Sequence, residues 1–441
     1  MQIVLYLSFM VLSQYIRAET VTQQLSDTNI DKERITILNS LNEFGFKILL
    51  RMMKQYPDEN VIISPASISC LLAMTLLGSV GRTYDELAAT LGFSEDILIN
   101  RQNHEFFGDL LQQINSNDSW SKTMFTDAVF VDKRSQLREA YQSYMHKVYK
   151  SEVRNVDFIE NVRVKEIINA WVSEQTKGMI NNFLKEPLPK DTKIVLISAL
   201  YFSGQWEKPF IPEHTRKMPF RLGKDKFDVD LMLNVGQFNY IFSPKDELHM
   251  IAFPYNDSVN TMYVLKPRLP EDITLTDLMA RLDYTKIDNL INKMTREDAV
   301  VRFPKMEIKS DVNLELPLKE LGVKSMFNPS ESNFALMLDT NTNVNKTEED
   351  LITKISDGDM DGGSLKRVLN SLINPGVYVD SVLHKVKMKI DEYGTEAVAA
   401  TSGILARSSE QFYADSPFFM FIRNEKTKLI TFSAVVNNPI I

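Results

Sequence analysis

The chain has 441 residues, of which 44% are apolar and 24% charged, and its net charge is −8. That length supports a large hydrophobic core, and a simple size rule gives about three domains. The acidic balance argues against nucleic acid and against an anionic membrane surface as the main partner, because neither attracts a negatively charged chain.

The first residues have the pattern of a secretory signal peptide. Met1–Leu12 is an apolar run too short to cross a bilayer, and Ala18 supplies a small residue for cleavage. We expect residues 1–18 to be removed and the protein to be secreted to the extracellular space. No basic segment precedes the run, so a short buried N-terminal helix is the alternative. No later run of eighteen apolar residues occurs, so we expect no membrane anchor in the mature chain.

Two residue types bear on the expected extracellular setting. Cys70 is the one cysteine, and it lies in an apolar stretch, which predicts a buried and unreactive thiol. Three Asn-X-Ser/Thr triplets begin at Asn117, Asn256 and Asn345 and predict N-glycosylation of an exported chain.

Hydrophobic periodicity predicts the elements of the first part of the chain. It indicates an amphipathic helix over residues 31–56 and a short buried strand over 60–63. The Ser64–Pro65 turn then leads into a helix over 66–80. Thr83 and Glu86 have the spacing of a capping box for the next helix, and a further helix is predicted over 94–115.

The central and C-terminal parts alternate strands with one long helix. Residues 123–131 alternate as a strand, and a helix that starts near Ile167 is predicted to end at Gly178. Residues 193–206 are a largely apolar run, which predicts a buried strand. Two further strand-like runs cover residues 377–390 and 417–436.

The segment between those last two runs is unusual for a loop. Glu392–Ser409 contains no Pro, Asn or Asp, which are common loop residues. Read as a strand, it places Thr395, Ala397, Ala399, Thr401 and Gly403 on one face, and all five are small and uncharged. The segment can therefore serve as an exposed loop and, later, as a strand within a sheet.

These residues identify a family by resemblance. The hinge Glu392-x-Gly-Thr-Glu-Ala-x-Ala-Ala-Thr401 and the run Phe412–Phe418 resemble those of the inhibitory serpins. Asn60–Ser67, the run 193–206 and Pro304-Lys-Met are similar to further serpin motifs, so the resemblance covers about residues 32–440. It implies an α+β serpin fold with three β-sheets, about nine α-helices and an exposed reactive-centre loop. It also implies one domain over residues 19–441 in place of three.

The resemblance assigns roles along residues 392–416, the hinge and reactive-centre loop. Arg407–Ser408 is the expected scissile bond, because an exposed Arg suits the acidic primary pocket of trypsin-like proteases. Counting the usual hinge length of the family gives Ser408–Ser409 instead. The hinge residues are Glu392, Gly394, Thr395, Glu396, Ala397, Ala399, Ala400 and Thr401.

Other positions match the places where the serpin sheet opens. Ser64, Ser67, Ser198 and His384 match a buried polar cluster called the shutter, although Ser198 stands where the family usually has Asn. A plain core histidine is the alternative for His384. Trp206 matches the tryptophan of the breach, near the top of the sheet where insertion starts.

Residues 339–375 are longer than the usual serpin connection, and we interpret them as a mobile surface insertion whose last part has helical spacing. Asp357–Gly362 has the start of a calcium-binding loop, but Val368 stands where a bidentate Glu is required. We therefore expect no metal and no cofactor.

Three functions are compared. A hydrolase is disfavoured because the chain lacks the common catalytic and nucleotide-binding motifs. The inhibitor hypothesis predicts a secreted, monomeric suicide substrate of trypsin-like serine proteases. The Phe253-Pro-Tyr motif and the long insertion resemble those of insect haemolymph serpins, which restrain clip-domain proteases in melanization and innate immunity. The alternative is a non-inhibitory serpin that binds or carries a ligand.

Heparin-type activation is not expected, because only Arg101 and His104 contribute basic groups to the helix over 94–115.

Overall fold

The structure is a computed structural model that describes residues 32–94, 97–117, 120–339, 362–370, 372–394 and 410–440. Within these ranges there are ten α-helices and two short 3₁₀ helices at Phe158–Glu160 and Ser325–Phe327. The α-helices are α1 (residues 32–55), α2 (Pro65–Leu77), α3 (Gly81–Leu91), α4 (Ile97–Ile114), α5 (Glu139–Tyr149), α6 (Asn161–Gln175), α7 (Leu275–Ala280), α8 (Tyr284–Asn292), α9 (Glu315–Glu320) and α10 (Gly362–Asn370). Because α10 belongs to the insertion, the described part holds the expected set of about nine helices and one addition.

A six-stranded sheet lies at the centre of the fold. Its strands are β2 (Ser116–Asn117), β3 (Ser121–Asp132), β5 (Glu152–Val156), β6 (Ile194–Gly204), β12 (Met306–Asn313) and β14 (Val379–Ile390). The order is β12-β14-β6-β3-β2, and β5 also pairs with β3. In this row β14 and β6 run parallel, whereas β12 with β14 and β3 with β6 are antiparallel.

A second sheet has nine strands in the described part of the chain, and a third has two. The nine are β1 (Val61–Ile63), β7 (Ile211–Leu222), β8 (Asp225–Ser243), β9 (Leu248–Pro254), β10 (Asn260–Pro267), β11 (Thr295–Pro304), β15 (Glu410–Tyr413), β16 (Phe418–Asn424) and β17 (Ile430–Val436). The small sheet pairs β4 (Gln136–Leu137) with β13 (Leu338–Asp339). Three sheets with this set of helices confirm the predicted fold class.

The two faces of β6 belong to different cores. Because side chains alternate along a strand, Val195, Ile197, Ala199 and Tyr201 face α6 and pack with it on the outer side. On the inner side, Ile194 and Leu196 join a cluster with α2, whereas Leu200 and Phe202 join a cluster with the nine-stranded sheet. Ser198 lies between these two inner pairs. The strand therefore carries its one inward polar residue where two apolar cores meet.

α2 begins as the sequence predicts. Ser64 is its N-cap, with a hydroxyl that accepts a hydrogen bond from the Ser67 amide at 3.2 Å, and Pro65 occupies the first turn. A proline is tolerated there because the first helical N–H groups have no intrahelical partner. Nearly the whole helix is buried, and its N-terminus lies against the inner face of the sheet.

Several predicted boundaries were wrong. α6 ends at Gln175 rather than Gly178, because Lys177 already has a positive φ of 49°. The apolar run 417–436 is two strands, β16 and β17, since Asn424 uses its carboxamide oxygen to accept from the amides of Lys426 and Thr427 in a turn. The predicted loop 392–416 also contains a strand, β15, which pairs parallel to β11.

The described helix of the insertion, α10, packs against the body of the protein. Lys366 of α10 forms an ion pair with Asp85 of α3 at 2.6 Å. The Asn370 side chain accepts a hydrogen bond from the Gly81 amide at 3.0 Å, and Leu369 is buried in a small cluster with Val80. Helical spacing at the end of the insertion is confirmed, and the calcium-loop pattern that starts at Asp357 lies outside the described residues.

Cys70 is buried in α2, as its apolar surroundings predict. Burial raises the pKa of its thiol well above the usual range, with a further contribution from the nearby Asp127. Among the described residues, no helix is both long enough and apolar enough to cross a lipid bilayer.

Candidate functional site

A tight turn follows β14 and starts the segment that the sequence predicts to be a hinge. The Asp391 amide donates to the Gly394 carbonyl at 2.9 Å, and the Gly394 amide donates back at 3.2 Å. Gly394 has a φ of 120°, and a Cβ at this position would lie 2.1 Å from the carbonyl oxygen of Gly204. Glycine is required here for both reasons, because no other side chain fits the conformation or the space.

Glu392 fastens this turn to the neighbouring chain. Its carboxylate accepts from the Thr215 hydroxyl at 2.8 Å and pairs with the Lys305 ammonium at 2.7 Å. Burial opposes the charge, but the hydrogen bonds from Lys305 and Thr215 hold the pKa of Glu392 below its usual value. The Glu392 carbonyl also accepts from the Phe210 amide at 2.7 Å. Lys305 lies within a motif that the sequence analysis recognised, yet its ion pair with Glu392 was not predicted.

Trp206 closes the top of the sheet beside the turn. It is buried, and its ring stacks on Tyr255 with centroids 4.5 Å apart. Its indole N–H donates to the Asp391 carbonyl at 3.1 Å, and its amide donates to the Tyr393 carbonyl at the same distance. Trp206 therefore contacts the point where the chain leaves β14.

The parallel pair β14–β6, which we name the seam, lies directly below the turn. Its register runs from Val379 opposite Ile194 to Met388 opposite Phe202, with an irregularity near Ser381. Parallel pairing is slightly less stable per residue than antiparallel pairing. A strand that followed Gly394 into the seam would run antiparallel to both neighbours. The topology thus leaves a place where one more strand improves the pairing of the sheet.

A row of polar residues crosses the sheet at the seam. Asp127 of β3 is paired with Ser198 of β6, which in turn is paired with His384 of β14. The Ser64 amide donates to Nε2 of His384 at 2.9 Å, so this nitrogen is unprotonated. Nδ1 then carries the proton and donates to the Ser198 hydroxyl at 3.0 Å. Three of the four predicted shutter residues are therefore connected through His384.

Burial lowers the pKa of His384 to about 3, which keeps the ring neutral at ordinary pH. Ser67, the fourth predicted residue, contributes its amide to the Ser64 hydroxyl, and its own hydroxyl makes no hydrogen bond among the described residues. The Ser198 hydroxyl reaches His384 although it is shorter than the Asn usual in serpins.

Asp127 was missed by the sequence analysis. It is 2% exposed, and neither carboxylate oxygen makes a hydrogen bond of normal geometry among the described residues. Burial raises the pKa of Asp127 to about 7, only partly offset by the nearby polar groups of Ser198, Cys70 and Ser67. The available signal was a carboxylate inside the strand-like run 123–131, where buried charges are rare unless paired.

The far end of the predicted loop is anchored separately. β15 pairs with β11, and the Lys266 ammonium donates to the Tyr413 carbonyl at 2.5 Å from below. Asp415 accepts from Arg221 at 2.9 Å and lies 3.4 Å from the same ammonium. The segment between Gly394 and Glu410 is thus held at both ends by different sheets.

Several predicted site residues lie outside the described residues, so their placement is not described. They are Thr395, Glu396, Ala397, Ala399, Ala400, Thr401, Arg407, Ser408, Ser409 and the sequon residue Asn345. Asn256 is exposed in the turn between β9 and β10, and Asn117 lies in β2. The predicted signal peptide over residues 1–18 is also outside the described ranges.

Comparison with known proteins agrees with this geometry. A family model described as Serpin (serine protease inhibitor) matches residues 39–439. Among curated relatives, plasminogen activator inhibitor 1 of Sus scrofa is 28% identical over 90% of this chain and 91% of its own length. Glia-derived nexin of Homo sapiens is 30% identical over 90% and 92%. Iripin-2 of Ixodes ricinus is 28% identical over 92% and 94%.

Solved structures give the same result. Native protease nexin-1 with heparin superposes with a TM-score of 0.77 at 26% identity, covering 92% of this chain and all of that one. Human thyroxine-binding globulin complexed with thyroxine has a TM-score of 0.77 at 21% identity, covering 92% of this chain and 99% of that one, and shares the fold. The chain belongs to the serpin family, which has protease inhibitors among its members.

Proposed function

We propose that this serpin is a secreted suicide substrate that traps trypsin-like serine proteases. The observation that carries the proposal is the seam. In it, β14 and β6 are paired with each other in parallel, and the chain leaves β14 at Gly394, directly above this pair. Family membership and inhibitory relatives add support, since protease inhibition is the activity that the family model names.

The mechanism begins at Arg407. The protease serine attacks the Arg407 carbonyl carbon, the bond to the Ser408 nitrogen breaks, and the released amine takes the proton. An acyl-enzyme remains on Arg407. Thirteen residues, Thr395 to Arg407, extend about 43 Å at strand rise. Their entry into the seam adds two antiparallel ladders and carries the attached protease to the far end of the sheet, where distortion of its active site stops deacylation.

The site residues then take the roles proposed for them. Glu392 and Gly394 form the hinge, with Thr395, Ala397, Ala399 and Thr401 as the face that would be buried. Ser64, Ser198 and His384 act as a shutter whose bonds must part when β14 moves away from β6. Trp206 marks the breach, because it contacts the turn at which entry would begin.

The finer biological setting is part of the same proposal. We infer a monomer that is glycosylated at some of its sequons and restrains an extracellular cascade of clip-domain proteases, such as melanization. Heparin-type activation is not proposed, because Arg101 of α4 is close to Glu105 at 3.3 Å and His104 is buried.

Incubation with trypsin tests the inhibitor against the carrier alternative. We expect a complex that survives a denaturing gel, together with a released C-terminal peptide. The mass of this peptide should identify Ser408 as its first residue. A peptide that begins at Ser409 would place the scissile bond at Ser408–Ser409. Clean cleavage without a complex would contradict trapping and favour a non-inhibitory binding protein.

A further inference from the structure

A basic cleft lies on the outer face of the six-stranded sheet. Its volume is about 520 Å³, within the range of small-ligand sites. One wall is residues 179–185, which we name the crossing segment, and the floor is formed by β12 and β14. The charged residues that line it are one carboxylate and four lysines: Asp311, Lys185, Lys309, Lys385 and Lys387.

The crossing segment belongs to the β6 side of the seam but reaches the β14 side. Ile180, Phe183 and Leu184 are buried in the core that α6 forms with β6. The Leu184 amide donates to the Asn169 side chain of α6 at 2.6 Å. On the other side, the Lys385 ammonium of β14 donates to the carbonyls of Asn182 and Phe183 at 3.1 and 3.0 Å.

The cleft carries an excess of positive charge within an acidic protein. Lys185 and Lys385 share the single carboxylate of Asp311, each at 3.2 Å. Lys309 and Lys387 are directly opposite on neighbouring strands, an arrangement that is unfavourable for like charges. Lys387 pairs with Glu307 at the edge of the cleft at 3.2 Å. Among the described residues, no carboxylate lies within ion-pair distance of Lys309, which is exposed.

We propose that this cleft binds a compact polyanion whose charges are phosphate or sulfate groups. Lysine ammonium groups are strong phosphate donors, and a ligand that bridges Lys309 and Lys387 relieves their repulsion. Lys185 lies on the wall and Lys387 on the floor, so a bound polyanion joins the crossing segment to β14. The cleft shares β14 with the shutter residue His384 but lies on the opposite face of the sheet, and none of its lining residues belongs to the hinge or to α4.

Binding has a consequence that rests on the proposed function. Entry of a strand into the seam moves β14 away from β6 by one strand spacing, about 4.8 Å. That displacement breaks the bonds of Lys385 to the crossing segment and separates Lys185 from Asp311. A ligand that holds both sides together must be released or stretched first, so it slows insertion.

Calorimetry with inorganic tripolyphosphate tests the site in 0.15 M salt, with sucrose octasulfate as the sulfate arm. We expect saturable binding of at least one of the two, which also tells the two sources apart. The double variant Lys309→Gln, Lys387→Gln should have an affinity at least about tenfold lower, since charged hydrogen bonds contribute strongly to affinity. The control is Lys224→Gln, Lys226→Gln, which removes the same charge from exposed positions in the β7–β8 hairpin.

Absence of saturable binding for both anions would overturn the proposal, as would an equal loss of affinity in the cleft and control variants. Each variant is first checked for a native circular dichroism spectrum and a cooperative unfolding transition without ligand.

The coupling is tested with trypsin. Saturating anion should shift the wild-type protein from covalent complex toward cleaved product, and should leave the cleft variant unchanged. An unaltered ratio with confirmed binding would refute the coupling but keep the site. A protein that forms no complex under either condition would refute the proposed function, and the calorimetry would still decide the site.

Discussion

Asp127 and Ser198 are paired in register at the centre of the six-stranded sheet, where the two inner apolar cores meet. Ser198 continues the row to His384 across the seam. The row therefore contains an acid with a raised pKa and a base with a lowered pKa on either side of one hydroxyl. Both groups are neutral at mildly acidic pH, and this sets the first two predictions.

Asp127→Asn should stabilise the protein at alkaline pH. Because the pKa of Asp127 is raised to about 7 in the folded state, its favourable contribution is complete below the unfolded value near 4 and is lost as the pH rises through 7. An amide cannot ionise, so the variant should retain that stability, on the order of a few kcal/mol at pH 8. Urea unfolding at pH 5 and pH 8 measures the difference, with exposed Asp58→Asn as the control. The prediction would be contradicted if the stability of the wild-type protein relative to Asp127→Asn were greater at pH 8 than at pH 5.

His384→Asn should weaken the fold at neutral pH and flatten its acid limb. The pKa of His384 is lowered to about 3, so its contribution is present above the unfolded value near 6.5 and is lost as the pH falls toward 3. Removal of one such group should reduce the slope of unfolding free energy against pH by about 1.4 kcal/mol per unit. The buried His104 has the same direction of shift, so part of the acid limb should remain. An unchanged slope in His384→Asn between pH 4 and 6 would show that the ring is already protonated in the native state.

Lys305→Met should loosen the turn above the seam. The substitution removes the ammonium partner of the buried Glu392 carboxylate, at a cost of about 1–3 kcal/mol. Because the pKa of Glu392 is lowered in the native protein, the difference between variant and wild type should shrink as the pH falls below about 4. Thermal unfolding measures it, and Lys389→Met at a more exposed ion pair is the control. Equal melting temperatures for the two variants would show that the Lys305–Glu392 pair contributes no more stability than the pair formed by Lys389.

Thr395→Arg should convert the inhibitor into a substrate. By the alternation predicted from the sequence, position 395 enters the buried face of the new strand, and an unpaired charge there is strongly unfavourable. Glu396→Arg places the same side chain on the opposite face and should still trap protease. The readout is the ratio of covalent complex to cleaved protein after incubation with trypsin. Trapping by Thr395→Arg at the wild-type stoichiometry would contradict insertion of this face.

Leu369→Ala should detach α10 without opening the sheet. The side chain fills a small cluster with Val80 and Ala335, and its truncation should cost about 1–3 kcal/mol locally. We expect faster hydrogen exchange in α10 and unchanged exchange in β6 and β14. Lys54→Ala, at an exposed position of α1, serves as the control. Equal exchange of α10 in the variant and the wild type would show that the helix is held by its ion pair to Asp85 instead.

The sequence predicted those elements whose buried residues follow a local pattern along the chain. The strand-like runs that form β6 and β14 are local patterns, and both strands lie where they were expected. β15 was missed because it has four residues and owes its pairing to β11, far away in sequence. No local pattern encodes such a partner.

Tertiary partners also explain the incorrect capping box. Thr83 accepts from the Asn333 amide at 3.1 Å, and Glu86 accepts from the amides of Lys324 and Ser325 at 2.7 Å each. α3 instead starts at Gly81, with Val80 as a cap that offers no side-chain bond. Two residues with capping chemistry thus bind a distant segment, residues 324–333, which includes the second 3₁₀ turn. The same reason hid Asp127, since its neighbours come from three separate elements.

The anchoring of β15 decides what a cut in the reactive loop leaves behind. The described residues downstream of the cut are held in the body, since β15 pairs with β11, β16 lies between β10 and β17, and β17 lies between β16 and β1. The nicked molecule should accordingly migrate as one particle in native chromatography and yield a small second chain only in denaturant. A measurement of particle size in native buffer therefore cannot reveal cleavage. Any assay for this protein must denature it before the cut chain can be detected.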